Sequence, residues 1–290
     1  MRVLIVGGEG QLGLTLTELS KTAGFASFKA TTMESLDLSK EENVKSCFEK
    51  EEFDYLVNCA AYTAVDRAES ERETAMLINA QAPEWMAKYA HQKGAGIIHI
   101  STDYVFGGTG NRPFSPESPK FPTSVYGETK LKGEELVAKE NPNHIIIRTA
   151  WLYSRYGANF VKTMLRLSEE KSELSVVYDQ VGAPTYADDL AAAILRILEL
   201  SAKDKSSFVP GIYHYSNLGV CSWYDFALMI FKLSKRKVKV SPVLSDEYKT
   251  AAERPAYSVM DNSKIRKTFG VQIPYWTNSL EKCIAELNKE

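Results

Sequence analysis

The pair Tyr126 and Lys130, in the segment SVYGETK, has the residue types and the spacing of an acid–base site. Residues four apart on a helix share one face, so the lysine ammonium can lie close to the tyrosine phenol. An isolated phenol is a poor acid, with a reference pKa of about 10. A cation about 4 Å away contributes on the order of 4 kcal/mol at an effective dielectric near 20, which brings that pKa towards neutrality. The spacing therefore predicts that Lys130 makes Tyr126 a proton donor.

A second pair, Tyr89 and Lys93, has the same spacing, so the position of each pair in the fold must decide between them. Tyr89 and Lys93 end the helix-like stretch PEWMAKYAHQKG, which leads into the apolar run GIIHIS. Ligands in open α/β sheets collect outside the carboxyl ends of strands, whereas this pair precedes a strand. Tyr126 instead follows the end of that run, at Thr102, across a Gly/Pro-rich loop. We therefore expect Tyr126 and Thr102 to line a crevice and the other pair to be a solvated helix end.

The amino-terminal run RVLIVGGEGQLG is typical of a strand, a glycine turn and a helix. Its glycines are Gly7, Gly10 and Gly13, and this spacing has one more residue between the first two than the Gly-x-Gly-x-x-Gly fingerprint. Such glycines permit a tight turn, and the helix terminus that follows can bind a pyrophosphate through unpaired N–H groups. Because the run opens an alternating α/β pattern, it predicts a dinucleotide site. Together with Tyr126 it indicates nicotinamide-dependent redox chemistry.

The adenosine end of the predicted cofactor site lacks the acidic residue that is typical of NAD binding. That residue is expected about 20 positions further on, at the end of the second strand. Here the strand end reads Lys29-Ala30-Thr31-Thr32, so no carboxylate repels a 2′-phosphate, and Lys29 or the threonine hydroxyls can contact one. NADPH is therefore expected to serve at least as well as NADH. Asp37, Leu38 and the strand end 58–63 are expected to border the cofactor, although a helix cap explains Asp37 equally well.

The elements that must position these residues alternate along the first half of the chain. Short β-branched runs, namely VLIV, SFKA, YLVNC, GIIHIS and HIIIR, are separated by segments of helix length. This alternation predicts an α/β fold of the Rossmann type, with a doubly wound parallel sheet and helices on both faces. We predict a cofactor domain over residues 1–150 and a smaller substrate lobe, mainly 151–290, with segments near 174–200 and 211–216 returning to the sheet.

Composition excludes several classes of protein. The 290 residues carry a net charge of −2, which offers no broad basic surface for nucleic acid. No apolar run is long enough to span a membrane, and a strand begins within two residues of Met1, so a cytoplasmic location without a signal peptide is expected. No close pair occurs among the cysteines, so neither a zinc site nor a disulfide framework is predicted; they are Cys47, Cys59, Cys221 and Cys283.

Along nearly its whole length the chain resembles the extended short-chain dehydrogenase/reductases, and within them the dTDP-4-dehydrorhamnose reductase family. The matching segments are GEGQLG, VNCAAYTAVDRAE, STDYVF, VYGETKLKGE, RTAWLY, NFVKTMLRL, YDQVGAPT, GIYHYSN with SWYDFA, and ERPAYS. The resemblance implies NADPH- or NADH-dependent reduction of a nucleotide-sugar, dTDP-4-dehydro-6-deoxy-L-mannose, in the synthesis of a cell-surface deoxysugar. In related 4,6-dehydratases the strand-end threonine is followed by Asp-Glu. Here Asp103 is followed by Tyr104, which favours reduction over dehydration.

The resemblance also implies roles for individual residues. Tyr126 would donate the proton to the sugar C4 oxygen, Thr102 would hydrogen-bond that oxygen, and Lys130 would position the nicotinamide ribose and tune the phenol. The implied cofactor contacts are Gly7, Gly10, Gln11, Leu12, Gly13, Asp37, Leu38, Ala60, Ala61, Tyr62, Thr63, Tyr126 and Lys130. The implied substrate contacts are Thr102, Asp103, Trp151 and Arg254, with Lys162 and Arg166 as further candidates for the diphosphate. A core tryptophan is the other interpretation of Trp151.

Some members of the resembled family are homodimers bridged by magnesium through glutamates. In this sequence the early-helix position is Thr15 and the later one falls near Asp188, which argues against a metal-bridged dimer and leads us to predict no metal ligand. Two alternatives to the reductase stay open. One is another nucleotide-sugar ketoreductase or an epimerase, and the other is a non-catalytic NADP-binding subunit like the regulatory subunit of methionine adenosyltransferase.

The missing acid after the second strand generates a first testable prediction. Purified protein is expected to use NADPH at least as efficiently as NADH, because no carboxylate at 29–32 opposes the 2′-phosphate. Comparison of kcat/KM for the two cofactors under one set of conditions measures this. A clear preference for NADH would contradict it.

Overall fold

The five β-branched runs form strands in the computed structural model, which describes residues 1–289. The strands are β1 (Arg2–Val6), β2 (Ser27–Ala30), β3 (Tyr55–Asn58), β4 (Gly96–Thr102), β5 (His144–Thr149), β6 (Leu152–Tyr153), β7 (Glu173–Val177), β8 (Val181–Gly182), β9 (Thr185–Tyr186), β10 (Gly211–His214), β11 (Cys221–Ser222) and β12 (Lys239–Val243). The helices are α1 (Gln11–Ser20), α2 (Glu41–Lys50), α3 (Val65–Ala68), α4 (Arg72–Met76), α5 (Ala82–Gln92), α6 (Val125–Glu140), α7 (Phe160–Glu170), α8 (Ala187–Lys203), α9 (Trp223–Leu233), α10 (Ser263–Phe269) and α11 (Trp276–Leu287). Short 3₁₀ turns cover Asp103–Val105, Lys205–Ser207 and Ser245–Glu247, and a π-helical turn covers Leu77–Gln81.

Six strands form one parallel sheet in the order β10-β5-β4-β3-β1-β2. The chain leaves β1 in one direction to form β2 and then returns to form β3 on the other side of β1. Ligands in such sheets bind at this reversal, outside the carboxyl ends of the strands. In the register of the pair, Val6 of β1 lies opposite Asn58 of β3, so the glycine turn and the 59–63 segment emerge side by side.

Helices cover both faces of the sheet, because its central strands are apolar on both sides. On one face, Leu16 of α1 and Ile194 of α8 are fully buried in the same apolar core as Ile5 of β1. On the other face, Phe48 of α2 and Met86 of α5 are buried against Leu4, Leu56 and Ile97 of the sheet. The prediction of an α/β fold with a doubly wound parallel sheet is confirmed.

The later half of the chain contributes to two cores. Helix α8 packs on the sheet and strand β10 pairs with β5, whereas β7 pairs with β12. Strands β7 and β12 form a separate two-stranded sheet, because β12 comes from the carboxyl-terminal segment. Helices α7, α9 and α11 enclose a second, aromatic-rich core that contains Phe226 and Trp276. The domain boundary at residue 150 stays a prediction.

The expectations from composition also concern the cysteines and the helices. All four cysteines are free thiols, and burial raises the pKa of Cys59 and Cys283 to about 12. Thiols with such a raised pKa are poor nucleophiles. None of the described helices combines the length and the apolar character that a membrane crossing requires.

Candidate active site

Tyr126 lies at the amino end of α6, where this helix meets the end of β4. Ser124 caps the helix by accepting from the Gly127 amide, and Glu69 accepts from the Val125 amide. A Cβ at Gly127 would lie 2.3 Å from the Tyr104 carbonyl oxygen, so only glycine lets the helix seat this closely. The rings of Tyr104 and Tyr126 consequently pack edge to face, with centroids 5.4 Å apart.

Burial governs the ionisation of Tyr126. Its pKa is raised above the ordinary value, first by desolvation and then by Asp103 and Tyr104, while a hydrogen bond with Thr102 opposes the rise. The ammonium of Lys130 donates to the Ile100 carbonyl, at 2.7 Å. The four-residue spacing predicted that Lys130 acts directly on the pKa of the phenol. Lys130 is not among the groups that shift this pKa. Lys130 is only 1% exposed, and it takes the nearest acceptor on the strand.

A buried ion pair lies beneath Lys130 and was missed at the sequence level. Glu134 accepts from Arg148 at 2.6 Å, and both side chains are almost fully buried. The Ser101 hydroxyl donates to the same carboxylate at 2.6 Å. Burial lowers the pKa of Lys130 to about 8, and the negative charge of Glu134 opposes this shift. The sequence signal that could have revealed Glu134 is its position, four residues after Lys130 on the same helix.

Asp103 presents an unsatisfied acceptor at the end of β4. One carboxylate oxygen accepts from the Thr102 hydroxyl at 2.9 Å, whereas Oδ2 is buried without a hydrogen-bond partner among the described residues. Burial raises the pKa of Asp103 to about 6. An unpaired buried acceptor costs about 1–3 kcal/mol, which a hydroxyl-bearing ligand would relieve. The role of Asp103 as a substrate contact stays a prediction.

Arg254 comes from far along the chain to the same region. Its guanidinium donates to the Tyr104 hydroxyl at 3.1 Å and to Asp66 Oδ2 at 2.7 Å. The other two diphosphate candidates, Lys162 and Arg166, make contacts elsewhere. Lys162 donates to the Arg155 carbonyl, and Arg166 pairs with Glu170 on an exposed helix face. The contacts favour Arg254 among the three candidates.

Trp151 has features of both a core tryptophan and a ligand contact, the two interpretations of its sequence position. It is half-buried and stacks on Trp223 with ring centroids 3.6 Å apart. Its backbone has a φ of 49°, a left-handed conformation that is uncommon for a bulky residue. Gly182 lies directly against the ring, since a Cβ there would come within 2.8 Å of it. Strained residues of this kind are concentrated at ligand sites, so Trp151 stays a predicted sugar contact.

At the cofactor end, four glycines differ in their close contacts. Gly7 has a φ of 81°, and a Cβ at Gly13 would lie 2.1 Å from the Gly7 carbonyl oxygen. Gly8 also packs closely, since a Cβ there would lie 2.8 Å from the Ala30 side chain. At Gly10, by contrast, the nearest atom to an added Cβ is 3.5 Å away. The protein itself tolerates a side chain at Gly10, so glycine there suits the close approach of a ligand.

Helix α1 offers backbone donors at this turn. Its N-cap is Gly10, and no side chain caps the first-turn amides. Leu12 is buried in the core, and the Gln11 side chain accepts from Ser154 and Asn159, so both residues face the turn through their backbones. The helix dipole and the free amides favour an anion such as a pyrophosphate.

The segment after β3 is held by two buried asparagines that sequence reasoning missed. Asn58 accepts from the Ala60 amide, and Asn79 both accepts from the Tyr62 amide and donates to the Tyr62 carbonyl. Asn79 lies in the π-helical turn, a feature that is common at functional sites. These bonds fix the predicted cofactor contacts from Ala60 to Thr63 beside α6.

The adenosine end differs from the expectation in two details. Asp37 accepts from the Ser39 amide before α2, but the N-cap of α2 is Lys40 and no side chain caps this helix, so the capping interpretation is wrong; Leu38 is partly buried beside it. Lys29 pairs with Glu51 at 2.6 Å, so its ammonium is engaged away from a 2′-phosphate. Glu9, which was not predicted, accepts from the Met33 amide at 2.8 Å and brings a carboxylate to this end.

The residues at the magnesium position do not fit a divalent ion. The Thr15 hydroxyl is buried and donates to the Gln11 carbonyl within its own helix. Asp188 is half-buried, and its pKa is raised to about 6 by burial and by Glu286. Residues 1–289 contain no group of three His, Cys, Asp or Glu side chains that could bind a metal.

Comparison with known proteins agrees with this geometry. The family model described as RmlD substrate binding domain matches residues 1–289. The spore coat polysaccharide biosynthesis protein SpsK of Bacillus subtilis is 40% identical over 98% of this chain and 97% of its own. The dTDP-4-dehydrorhamnose reductase of Sinorhizobium fredii is 40% identical over the same shares. A crystal structure of dTDP-4-dehydrorhamnose reductase from Bacillus anthracis in complex with NADP is 38% identical, covers 98% of this chain and 99% of that chain, and has a TM-score of 0.92.

The chain belongs to the RmlD substrate-binding domain family. In this RmlD-family protein Thr102 ends β4, Tyr126 lies in the first turn of α6, and Lys130 is tied to β4 through the Ile100 carbonyl. The assignment of each residue to cofactor or substrate stays a prediction.

The different surroundings of Gly10 and Gly13 generate a paired prediction. Gly13→Ala is expected to destabilise the fold by about 1–3 kcal/mol, because its methyl group would overlap the backbone. Gly10→Ala is expected to fold normally but to bind NADPH more weakly, because a ligand rather than the protein would meet that methyl group. Thermal unfolding and NADPH fluorescence titration measure the two effects. Normal stability of the first variant, or unchanged affinity of the second, would contradict the assignment.

Asp103→Asn is expected to stabilise the fold at high pH. The folded protein holds the Asp103 proton more tightly than the unfolded chain, since its pKa rises from 3.8 to about 6. Wild-type stability therefore falls as pH rises from about 4 to about 6 and stays reduced above that. The variant is expected to gain about 2–3 kcal/mol in the free energy of unfolding at pH 8 and little at pH 4.

Urea unfolding of both proteins at the two pH values measures this difference. Asp246→Asn, at an exposed position, is the matched control and is expected to show no such dependence on pH. An equal gain at pH 4 and pH 8 would show that the buried charge is not its cause.

Proposed function

We propose that this RmlD-family protein reduces dTDP-4-dehydrorhamnose to dTDP-L-rhamnose with NADPH as the reductant. The observation that carries the proposal is the full-length match to several dTDP-4-dehydrorhamnose reductases at 34–40% identity. The catalytic geometry supports it, because a threonine, a tyrosine and a lysine meet at the end of β4. The Bacillus anthracis reductase, which binds NADP, supports the choice of cofactor.

Tyr126 is the proton donor of this proposed reaction. Burial keeps its phenol protonated at neutral pH, because desolvation disfavours the phenolate. When bound, NADPH supplies the hydride for C4 of the sugar. As negative charge grows on the C4 oxygen, Tyr126 gives up its proton to that oxygen, and Thr102 stabilises it by hydrogen bonding. General acid catalysis of this kind typically contributes about 10²- to 10⁴-fold to the rate.

The role of Lys130 differs from the one that its four-residue spacing from Tyr126 suggested. Its ammonium is anchored to the Ile100 carbonyl, and Glu134 favours the charged form. We assign it the positioning of the nicotinamide ribose, with the remaining ammonium protons as donors. Its positive charge also favours any ligand that brings negative charge into this buried region.

The proposed substrate contacts belong to different elements. Asp103 offers its unpaired Oδ2 to a sugar hydroxyl, and Trp151 offers an apolar ring to the deoxysugar face. Gly10 and the free amides of α1 would hold the pyrophosphate of the cofactor. We also propose that the substrate lobe consists mainly of residues after 150, since α7, α9 and α11 form their own core.

The proposal is tested by turnover of the keto-sugar. Wild-type protein is expected to oxidise NADPH when dTDP-4-dehydrorhamnose is added, with dTDP-L-rhamnose as the product. UDP- and GDP-linked 4-keto sugars are expected to react far more slowly. No oxidation with any of these sugars would favour a non-catalytic NADP-binding protein, and preference for a UDP or GDP sugar would favour a sister enzyme.

Tyr126→Phe is the matched variant for the mechanism. It is expected to keep NADPH affinity, because the ring is retained, and to lose about 10²-fold or more in kcat, because the proton donor is gone. Single-turnover kinetics and NADPH titration separate the two effects. A rate close to wild type would exclude the phenol as the acid.

A further inference from the structure

The segment AVDRAE, residues 64–69, packs beside the helix that carries Tyr126. Its helix α3 packs on α6, with Val65 and Ala68 in the same apolar cluster as Tyr126 and Tyr104. Glu69 holds the amino end of α6 through the Val125 amide. The remaining acidic side chain of the segment, Asp66, points to a distant part of the chain.

Asp66 holds residues 249–254, which we call the strap. Its Oδ1 accepts from the Ala252 amide at 3.1 Å, and its Oδ2 accepts from Arg254 at 2.7 Å. Ala252 is buried, although Lys249, Thr250 and Ala251 before it are exposed. One carboxylate thus fixes both the backbone and the guanidinium of the strap.

Arg254 transmits this anchorage to the catalytic tyrosine. Its Nη1 donates to the Tyr104 hydroxyl at 3.1 Å, and the Tyr104 ring packs edge to face on Tyr126. The strap is also fixed on its other side, where the Tyr257 amide donates to the Gly108 carbonyl. The contacts run from Asp66 through Arg254 and Tyr104 to Tyr126.

We propose that Asp66 is a positioning residue for the nucleotide-sugar end of the reaction, because it docks the strap and holds Arg254 against Tyr104 beside Tyr126. The inference rests on the proposed function. The Asp66–Arg254 pair is partly exposed, with 44% and 28% of the two side chains accessible. Pairs of this kind contribute about 0–1 kcal/mol to stability, so its removal leaves the fold intact and exposes any effect on the site.

The Asp66–Arg254 pair also affects the electrostatic environment of a bound substrate. Arg254 offsets the carboxylate of Asp66, which would otherwise repel a diphosphate. Without the carboxylate, Ala252 and Arg254 lose their shared anchor, and the strap loses its fixed position over the Tyr104 ring. Binding of the nucleotide-sugar is then expected to weaken, while the cofactor turn, which is built from β1 and α1, is unaffected.

The test is a double-mutant cycle with Asp66→Asn and Arg254→Gln. Each variant is expected to raise KM for the keto-sugar about tenfold, a change of about 1.4 kcal/mol, with a smaller fall in kcat and NADPH affinity within about twofold of wild type. Because both side chains act through one contact, the double variant is expected to be no worse than the worse single one. Circular dichroism and thermal unfolding confirm that each variant is folded.

Glu169→Gln is the matched control. Glu169, on α7, pairs with Arg236 in a similarly long-range, solvent-accessible ion pair, and its variant is expected to keep wild-type KM. Wild-type KM in Asp66→Asn would overturn the proposal. A lower KM, or effects of the two variants that multiply, would overturn it as well, because Arg254 would then bind the substrate independently of Asp66.

Failure of this inference can be told from failure of the proposed function. If wild-type protein oxidises no NADPH with the keto-sugar, the proposed function fails. Calorimetric titration with dTDP then tests Asp66 alone, since weaker binding by Asp66→Asn than by Glu169→Gln is still expected. Equal binding by these two variants would overturn the role of Asp66.

Discussion

Removal of ionisable side chains from water is the constraint on which this site depends. Tyr126, Lys130 and Asp103 are all buried at the carboxyl end of β4. Burial shifts the pKa of each group in the direction that favours its neutral form. The phenol is thereby kept protonated, and Lys130 and Asp103 titrate within about two units of neutrality. Such a site is costly for the fold, because desolvated polar groups destabilise it unless they are paired. Glu134, which pairs with Arg148, favours the charged form of Lys130.

The burial is produced by close approach of main chain and by elements from distant parts of the sequence. Gly127 lets α6 sit against the turn that carries Tyr104, which brings the two tyrosine rings into contact. Asp66 of helix α3 joins the strap to this region through the Ala252 amide and Arg254. Each contact is modest alone, and together they restrict the rotamers of the side chains that must meet the substrate. Such preorganisation lowers the entropy that binding and reaction would otherwise lose.

Much of this could be predicted from the sequence. The five β-branched runs and their helices determined a parallel sheet, because strands buried on both faces need apolar runs and parallel connections need helical crossovers. Gly7, Gly10 and Gly13 marked the cofactor turn, and the four-residue spacing marked Tyr126 and Lys130. These signals are local, since each depends on neighbouring residues whose periodicity or backbone freedom the sequence shows directly. The family resemblance added the substrate, which no local pattern contains.

Tertiary structure alone decided how the local pieces meet. It turned Lys130 towards the Ile100 carbonyl rather than towards the phenol, and it paired Lys29 with Glu51 at the adenosine end. It also joined Asp66 to Arg254, 188 positions apart in the chain. Such choices depend on which acceptor is nearest once the chain has folded, and on how far burial weakens the competition from water. Spacing along the sequence limits which partners can meet, but only the packed structure selects among them.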